Sequence, residues 1–305
     1  MNLQNNILIT GGSGLVGSNF DSGIKLSSKE INLNNFDDSY EKIDSIKPKS
    51  IIHCAAKVGG LYHNMKEPVS FFNQNIEMNS NILKIAYKLN IEKFIGFLST
   101  CIFPDNLNHP FTEKDLHMGP PHDSNFAYAY AKRMLDIQTK AYNKQFNRKY
   151  FCVIPTNIYG FNDNFNTENG HVIPSLIHKI FLAKIEKTNL TVMGTGKAKR
   201  EFIFVKDLTR ICKILLNKYN GIDPIIISNS AEEVSIKDVV EILVNVSNFK
   251  GKVIFDDSFS DGQLEKKTDT SKLKNLIGNY DFTPLESGIK VTYEWFENNY
   301  KDARK

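Results

Sequence analysis

Long hydrophobic runs, closely spaced cysteines and a large excess of charge are all missing from this 305-residue sequence. No apolar run approaches the roughly 20 residues that cross a bilayer, and the N-terminus lacks the basic and apolar stretches of a signal peptide. The four cysteines, Cys54, Cys101, Cys152 and Cys212, are too far apart for a CxxC motif. We therefore expect a cytoplasmic protein with reduced thiols, no membrane partner and no metal site.

The net charge of +4 is small, and the lysines are scattered among acidic residues. Nucleic-acid binding would need a basic stripe with exposed aromatic side chains, so we expect no nucleic-acid partner. Hydrophobic residues at 41% and charged residues at 24% are ordinary proportions for a globular protein. A chain of this length can bury a sizeable core, as one large α/β domain or as two closely joined ones.

Short apolar runs alternate with helical patterns in the first half of the chain. Strands are predicted at residues 6–10, 23–26, 50–54, 93–99 and 150–155, and long helices at 69–89 and 127–146. This alternation predicts a Rossmann-type α/β fold, in which helices cover both faces of a doubly wound parallel sheet.

The pattern becomes less regular after residue 155. A loop rich in Asn, Gly and Phe at 156–170 precedes predicted elements at 172–184 (helix), 190–193 (strand), 235–247 (helix) and about 291–299 (helix). We predict a dinucleotide-binding domain over residues 1–155 and a smaller α/β substrate lobe over 156–305. Residues of about 200–220 are expected to return to the first domain.

A strand, a glycine turn and the start of a helix follow one another at residues 7–17. Glycines in such a turn allow a close approach of the backbone to a ligand, and a pyrophosphate can bind at the start of the helix. The turn therefore predicts dinucleotide binding. The predicted cofactor contacts are Gly11, Ser13, Gly14, Leu15, Val16 and Gly17.

The end of the second strand bears on the choice between NAD and NADP. An NAD enzyme usually places an acidic residue there, whereas NADP needs donors for its 2′-phosphate. This chain has Lys25 and then Ser27, Ser28 and Lys29, followed by Glu30. Two hydroxyls and an ammonium favour the phosphate, so we predict NADP(H), bound by Ser28 and Lys29.

Tyr128 and Lys132 are four residues apart on a predicted helix and therefore share one face. A nearby ammonium is expected to lower the pKa of a phenol, so that Tyr128 can donate a proton to a carbonyl oxygen while a hydride is transferred. Lys132 can also bind the nicotinamide ribose. Ser99 ends the strand predicted at 93–99 and would hydrogen-bond the same carbonyl oxygen.

Together these motifs resemble the extended short-chain dehydrogenase/reductase family. Further stretches narrow the resemblance to its GDP-L-fucose synthases, in order from residue 7 to about 210. The stretches are 55–60 (AAKVGG), 99–104 (STCIFP), 155–160 (PTNIYG), 170–174 (GHVIP) and 200–202 (REF). One departure is Met193, where many members have Trp.

The resemblance implies that a GDP-linked 4-keto-6-deoxymannose is epimerised at C3 and C5 and then reduced at C4 by NADPH. It implies that Cys101 is the base and His171 the acid of epimerisation, and that Ala55 contacts the cofactor. The implied substrate contacts are Thr100, Asn157, Lys179 and Arg200. Members of this group pair through the helices predicted at 69–89 and 127–146, so a homodimer is expected.

Three alternatives remain open at this stage. The chain could be a pure C4-reductase of a GDP-linked 4-keto sugar that another enzyme has epimerised, a heptose for instance. It could be a nucleotide-sugar 4-epimerase, which would need neither Cys101 nor His171. It could also be a non-catalytic NADP-binding protein, although Ser99, Tyr128 and Lys132 are all present.

Overall fold

The computed structural model describes residues 6–105, 107 and 110–305. The strands are β1 (Ile7–Thr10), β2 (Ile24–Leu26), β3 (Ser50–His53), β4 (Lys93–Phe97), β5 (Lys149–Pro155), β6 (Asn157–Tyr159), β7 (Leu190–Met193), β8 (Lys199–Phe204), β9 (Ile225–Ile227), β10 (Glu233–Ser235) and β11 (Val253–Asp256). The helices are α1 (Leu15–Ser18), α2 (Phe36–Ile46), α3 (Leu61–Lys66), α4 (Pro68–Lys88), α5 (Phe126–Phe146), α6 (Val172–Glu186), α7 (Val205–Lys218), α8 (Ile236–Ser247), α9 (Ser271–Ile277) and α10 (Leu285–Asn298).

The central sheet has six strands in the order β2-β1-β3-β4-β5-β9, and all neighbours are parallel. The order reverses beside β1, which is the point where ligands bind in open sheets of this kind. The predicted doubly wound parallel sheet is confirmed.

Both faces of this sheet are buried, and successive residues of a strand contribute to opposite faces. In β1, Leu8 packs in the core under α2, α4 and α5, whereas Ile7 and Ile9 pack in the core that α7 covers. The same alternation divides Ile51 from Ile52 in β3. The helices therefore hold the strands in register, and the carboxyl ends of the strands remain free to build a site.

A further core lies among α6, α8 and α10. It covers a three-stranded sheet in the order β10-β8-β6, and β7 pairs with β11 in a separate two-stranded sheet. Strand β9 joins the central sheet although it follows this part of the chain. None of the described helices is long and apolar enough to cross a membrane.

The structure shifts several predicted boundaries. Strand β4 ends at Phe97 rather than at residue 99, because Ser99 instead accepts a hydrogen bond from the amide of Cys101 and begins a 3-10 turn. The last helix begins at Leu285, six residues before the predicted start, because Leu285 and Ile289 are buried on its inner face. The predicted strand at 190–193 matches β7.

Candidate active site

The carboxyl ends of β1, β3, β4 and β5 meet at one edge of the central sheet. The chain leaves that edge through Gly11, Ala55, Ser99 and Asn157 in turn. Parallel pairing therefore brings together the glycine turn and three of the stretches that carry the family resemblance. This edge is the candidate active site.

The glycine turn is built for close backbone contact. Gly11 has a φ of +69°, and a Cβ there would lie 2.8 Å from the amide nitrogen of Ala55. A Cβ on Gly17 would overlap the carbonyl oxygen of Gly11. The amide of Gly14 donates to that same carbonyl at 3.0 Å. Side chains are thus excluded from the surface on which a pyrophosphate is expected.

A buried network supports the turn from below. The Thr10 hydroxyl accepts from the amide of Ala55 at 3.3 Å and lies 2.8 Å from Nδ1 of His53. Nε2 of His53 lies 3.1 Å from Oδ1 of Asn79. Burial lowers the pKa of His53 to about 3, so the ring is neutral. These partners require Nδ1 to accept from Thr10 and Nε2 to donate to Asn79, so His53 is a structural residue of the core.

The end of β2 has fewer free donors than the sequence suggests. The hydroxyl and the amide of Ser27 both donate to Glu30 at 2.8 Å. These bonds lower the pKa of Glu30. The ammonium of Lys25 donates to the carbonyl of Ser18 at 2.8 Å. Ser28 and Lys29 are exposed and are the remaining candidates for a phosphate.

Tyr128 and Lys132 lie one turn apart on α5, as their spacing predicts. The ammonium of Lys132 is 5.8 Å from the centre of the Tyr128 ring and donates to the carbonyl of Phe97 at 2.9 Å. That carbonyl is two residues before Ser99, so the end of β4 and the face of α5 meet here. The Tyr128 ring makes an edge contact with Phe71, with 6.4 Å between ring centres.

Burial controls the protonation of this pair. It raises the pKa of Tyr128, and the neighbouring Cys101 raises it further. The pKa of Tyr128 is thus raised, whereas the sequence led us to expect that it would be lowered, because burial disfavours the phenolate. Burial lowers the pKa of Lys132 to about 8. The phenol is thus fully protonated at neutral pH and can only donate its proton.

Cys101 is half-buried in the 3-10 turn that begins at Ser99. Burial raises the pKa of its thiol, and hydrogen bonding to Ser99 together with the charge of Lys266 opposes that rise. Lys266 also interacts electrostatically with Arg200 and Asp105. Two ammonium groups, the half-buried one of Lys266 and the buried one of Lys132, interact electrostatically with the thiol, and both favour its ionised form.

His171 lies at the end of a loop that its asparagines hold together. The amide of Asn166 donates to Oδ1 of Asn164, and the side chain of Asn166 accepts from the amide of Asn169 at 2.8 Å. Gly60 faces the carbonyl of Asn169, so the loop reaches the segment that follows β3. Burial raises the pKa of Asp163 to about 6, against the opposing charge of His171. His171 itself is exposed at the N-cap of α6.

The predicted substrate contacts occupy several elements. Thr100 is buried in the 3-10 turn. Asn157 is exposed at the start of β6, and its Nδ2 donates to the carbonyl of Glu201 at 3.0 Å. Lys179 is half-buried on α6, where burial lowers its pKa. Arg200 is half-buried on β8 and donates to the carbonyl of Lys199 at 2.7 Å.

Sequence reasoning missed two residues of this edge. Lys266 lies beyond the stretches that carry the family resemblance, and only the fold brings it to Cys101 and Arg200. Glu201 is part of the REF stretch at 200–202, but the sequence pattern does not predict that it is buried and hydrogen-bonded. Among the described residues, no group of His, Cys, Asp and Glu is arranged to hold a metal ion.

Known proteins with this fold are similar over the whole chain. Residues 7–229 match the model of the NAD dependent epimerase/dehydratase family. The chain is 44% identical to the GDP-L-fucose synthase of Dictyostelium discoideum over 98% of this chain and 97% of that protein. A GDP-L-fucose synthetase structure from Naegleria fowleri bound to NADP has a TM-score of 0.95 and 40% identity, covering 100% of this chain and 96% of the other. An NADP-bound GDP-mannoheptose C4 reductase of Campylobacter jejuni has a TM-score of 0.86 and 25% identity, covering 97% and 99%.

Proposed function

This chain belongs to the NAD dependent epimerase/dehydratase family, and we propose that it reduces the C4 ketone of a GDP-linked 4-keto sugar with NADPH after epimerising C3 and C5. Its GDP-L-fucose synthase relatives support the substrate class, and the NADP-bound relatives support the cofactor. The observation that carries the proposal is the meeting of Cys101 with Tyr128 and Lys132 at one edge of the sheet. A reductase without epimerase activity would need Tyr128 and Lys132 but not Cys101.

The cofactor fits this edge because the glycine turn keeps side chains away from its surface. Gly11, Gly14 and Gly17 would hold the pyrophosphate, and Ala55 and Lys132 would lie against the rest of the dinucleotide. Bound NADPH supplies the hydride for the C4 carbon. The chain's own residues orient that carbonyl and deliver the proton.

Three side chains act on the C4 oxygen. Ser99 and Tyr128 hydrogen-bond it, and Tyr128 donates the proton that the reduced oxygen needs. The Lys132 ammonium stabilises the phenolate that remains, because it is held 5.8 Å from the ring by the carbonyl of Phe97.

The same polarised carbonyl prepares the epimerisation. A ketone at C4 acidifies the protons on C3 and C5, and hydrogen bonds to its oxygen stabilise the enolates that form. Cys101 in its thiolate form removes a proton from one face of the sugar, and His171 returns one to the opposite face. Thr100, Asn157, Lys179 and Arg200 are the proposed substrate contacts, of which the two cations suit the diphosphate.

The proposal is tested by mixing the protein with NADPH and GDP-4-keto-6-deoxymannose in heavy water. We expect loss of the absorbance of reduced cofactor together with deuterium at C3 and C5 of the product. Reduction without deuterium would leave a C4-reductase. No consumption of NADPH would reject this substrate.

A pure C4-reductase of a GDP-linked keto-heptose is the second candidate. The side chain of Met193 is 46% exposed beside the Gly194–Thr195–Gly196 turn, where the resemblance leads us to expect Trp, so this end of the pocket differs in shape. The similarity to a GDP-mannoheptose C4 reductase points the same way. A GDP-4-keto-heptose that is reduced faster than the deoxyhexose would favour it.

The cofactor preference should depend on Ser28 and Lys29. Replacing both by alanine is expected to raise the KM for NADPH about 10- to 100-fold and to leave the KM for NADH unchanged, because charge-assisted hydrogen bonds to a phosphate are lost. The control is Lys25→Met. In the wild type the Lys25 ammonium already donates to the carbonyl of Ser18, so the NADPH preference of this variant should stay near that of the wild type. An unchanged KM for NADPH in the double variant would mean that other residues bind the 2′-phosphate.

A homodimer through α4 and α5 is part of the proposal. Val69, Phe72, Phe126 and Ile137 are exposed apolar residues on these two helices, and apolar surface of this kind marks an interaction site. Sedimentation at micromolar concentration should give a dimer, and Phe72→Glu should give a monomer. A wild-type monomer would contradict this.

We further propose that residues 1–155 bind mainly the cofactor and that residues 156–305 bind mainly the substrate, in a cytoplasmic enzyme. Helix α7 supports the expected return of residues of about 200–220, since it packs on the central sheet. Strand β9, which follows that range, also joins this sheet.

A further inference from the structure

Glu201 is a carboxylate buried at the substrate side of the candidate site. Its side chain is 1% exposed and accepts three hydrogen bonds. The donors are the amide of Thr268 at 3.1 Å, the hydroxyl of Thr268 at 2.6 Å and the hydroxyl of Ser228 at 2.8 Å. All three donors are uncharged, so hydrogen bonds alone offset the cost of burying the carboxyl group.

Each partner of Glu201 leads to a different part of the site. Ser228 accepts from the hydroxyl of Thr156 at 3.2 Å, directly before Asn157. The backbone carbonyl of Glu201 accepts from the side chain of Asn157. Thr268 lies two residues after Lys266. Glu201 therefore connects the end of β5, strand β8 and the segment that carries Lys266.

The segment 264–269 has no regular secondary structure and is held by contacts to its neighbours. The amide of Lys199 donates to the carbonyl of Leu264 at 2.8 Å. The amide of Phe111 donates to the carbonyl of Lys267 at 2.9 Å. Together with the bonds of Glu201 to Thr268, these anchors fix the backbone on both sides of Lys266.

The segment lies beside the turn that carries Cys101, because Phe111, which is hydrogen-bonded to Lys267 and Asp269, stacks on Phe103 with 4.9 Å between ring centres. The charge of Lys266 then acts on the Cys101 thiol. The charged and titratable groups that face Cys101 are Lys266, Lys132, Tyr128 and Arg133. Those that face Lys266 are Cys101, Arg200 and Asp105. Of the two lysines that favour the thiolate, Lys132 is held by α5 and Lys266 by the segment that Glu201 fixes.

We propose that Glu201 is a positioning residue, which holds segment 264–269 so that the ammonium of Lys266 activates Cys101. This inference rests on the proposed function for its role in epimerisation, since only there is the thiolate needed as a base. The hydrogen bonds themselves do not depend on the identity of the substrate. An assay without substrate can therefore test it separately.

The first test is the pH dependence of alkylation of Cys101 by iodoacetamide, followed by mass spectrometry of its peptide. Lys266→Met is expected to raise the midpoint by about one pH unit, and Glu201→Gln by about half as much. The control is Asp207→Asn, a carboxylate that is also 1% exposed and accepts from Thr283 and Tyr280. It should lower the Tm without moving the midpoint.

A merely structural role of Glu201 predicts something different. Loosening of the fold would speed alkylation at every pH and leave the midpoint in place, and either that result or an unchanged profile would overturn the proposal. If Glu201→Gln fails to fold, Thr268→Val removes only the hydroxyl bond and should still raise the midpoint. Thr268→Ser keeps that bond and should behave as the wild type.

The second test uses deuterium exchange at C3 and C5 of the keto-sugar. Glu201→Gln should slow this exchange about threefold at pH 7, as a half-unit rise of the midpoint implies, and leave the Kd for NADPH within about twofold, because the glycine turn is untouched. Equal slowing in Asp207→Asn would overturn the role of Glu201. A wild-type protein that does not exchange would reject the proposed function, while the alkylation profiles would still decide the role of Glu201.

Discussion

The Tyr128→Phe enzyme is expected to bind NADPH as tightly as the wild type and to reduce its keto-sugar about a thousandfold more slowly. The substitution removes only the hydroxyl, and the ring keeps its edge contact with Phe71. The half-buried ring therefore keeps its position, and the C4 carbonyl of the sugar loses its proton donor. Single-turnover loss of NADPH absorbance, with the cofactor Kd measured by fluorescence, separates the two effects.

The matched control is Tyr130→Phe on the same helix. Tyr130 is exposed, and its ring lies 5.5 Å from the guanidinium of Arg133 rather than facing Lys132. Its loss of a hydroxyl should leave the rate of reduction unchanged. Reduction by Tyr128→Phe at more than a tenth of the wild-type rate would mean that another group donates the proton.

The central sheet was predictable because its strands obey a local rule. β1, β3, β4 and β5 are short apolar runs buried on both faces, separated by helices or turns. Parallel pairing then follows from the connections, and the carboxyl edge follows from the pairing. The close approach of Gly11 and Ala55 can be predicted from this topology alone.

The rest of the chain was less predictable for two different reasons. Strands β6, β9 and β10 have three residues each, and their partners rather than their own pattern determine them. Helix α7 is a different case, since its buried Leu208, Ile211, Cys212 and Leu215 recur at helical spacing. The sequence of α7 itself therefore carries a helical signal.

Within the site, spacing along the chain predicted neighbours but not their environment. Tyr128 and Lys132 are four positions apart, and this spacing places them together, yet burial raises the phenol pKa that was expected to fall. The sequence suggests the Ser27 hydroxyl as a donor to the phosphate, but in the structure this hydroxyl donates to Glu30. The charge of Lys266 acts on Cys101 from 165 positions away in the chain, and no local pattern encodes such an interaction.

The largest effect on epimerisation is expected from Cys101→Ser. Deuterium at C3 and C5 should fall at least about a hundredfold, because a serine hydroxyl does not ionise near neutral pH and cannot replace a thiolate base. Reduction of a sugar that has already been epimerised should stay within a few-fold of wild type, since Ser99, Tyr128 and Lys132 are intact. Cys54→Ser makes the same exchange at another half-buried cysteine and should change neither reaction.

The two half-reactions of the wild type should also respond to pH in opposite directions. Burial raises the pKa of Cys101, so below that pKa the thiolate fraction, and with it the deuterium exchange, should rise about tenfold per pH unit. The pKa of Lys132 is lowered to about 8, so its charge, and the support that it gives to the Tyr128 phenolate, is lost as the pH rises through 8. Reduction should therefore decline over the range in which exchange still increases. Exchange that survives in Cys101→Ser, or that falls as the pH rises from 6 to 8, would remove Cys101 from the role of base.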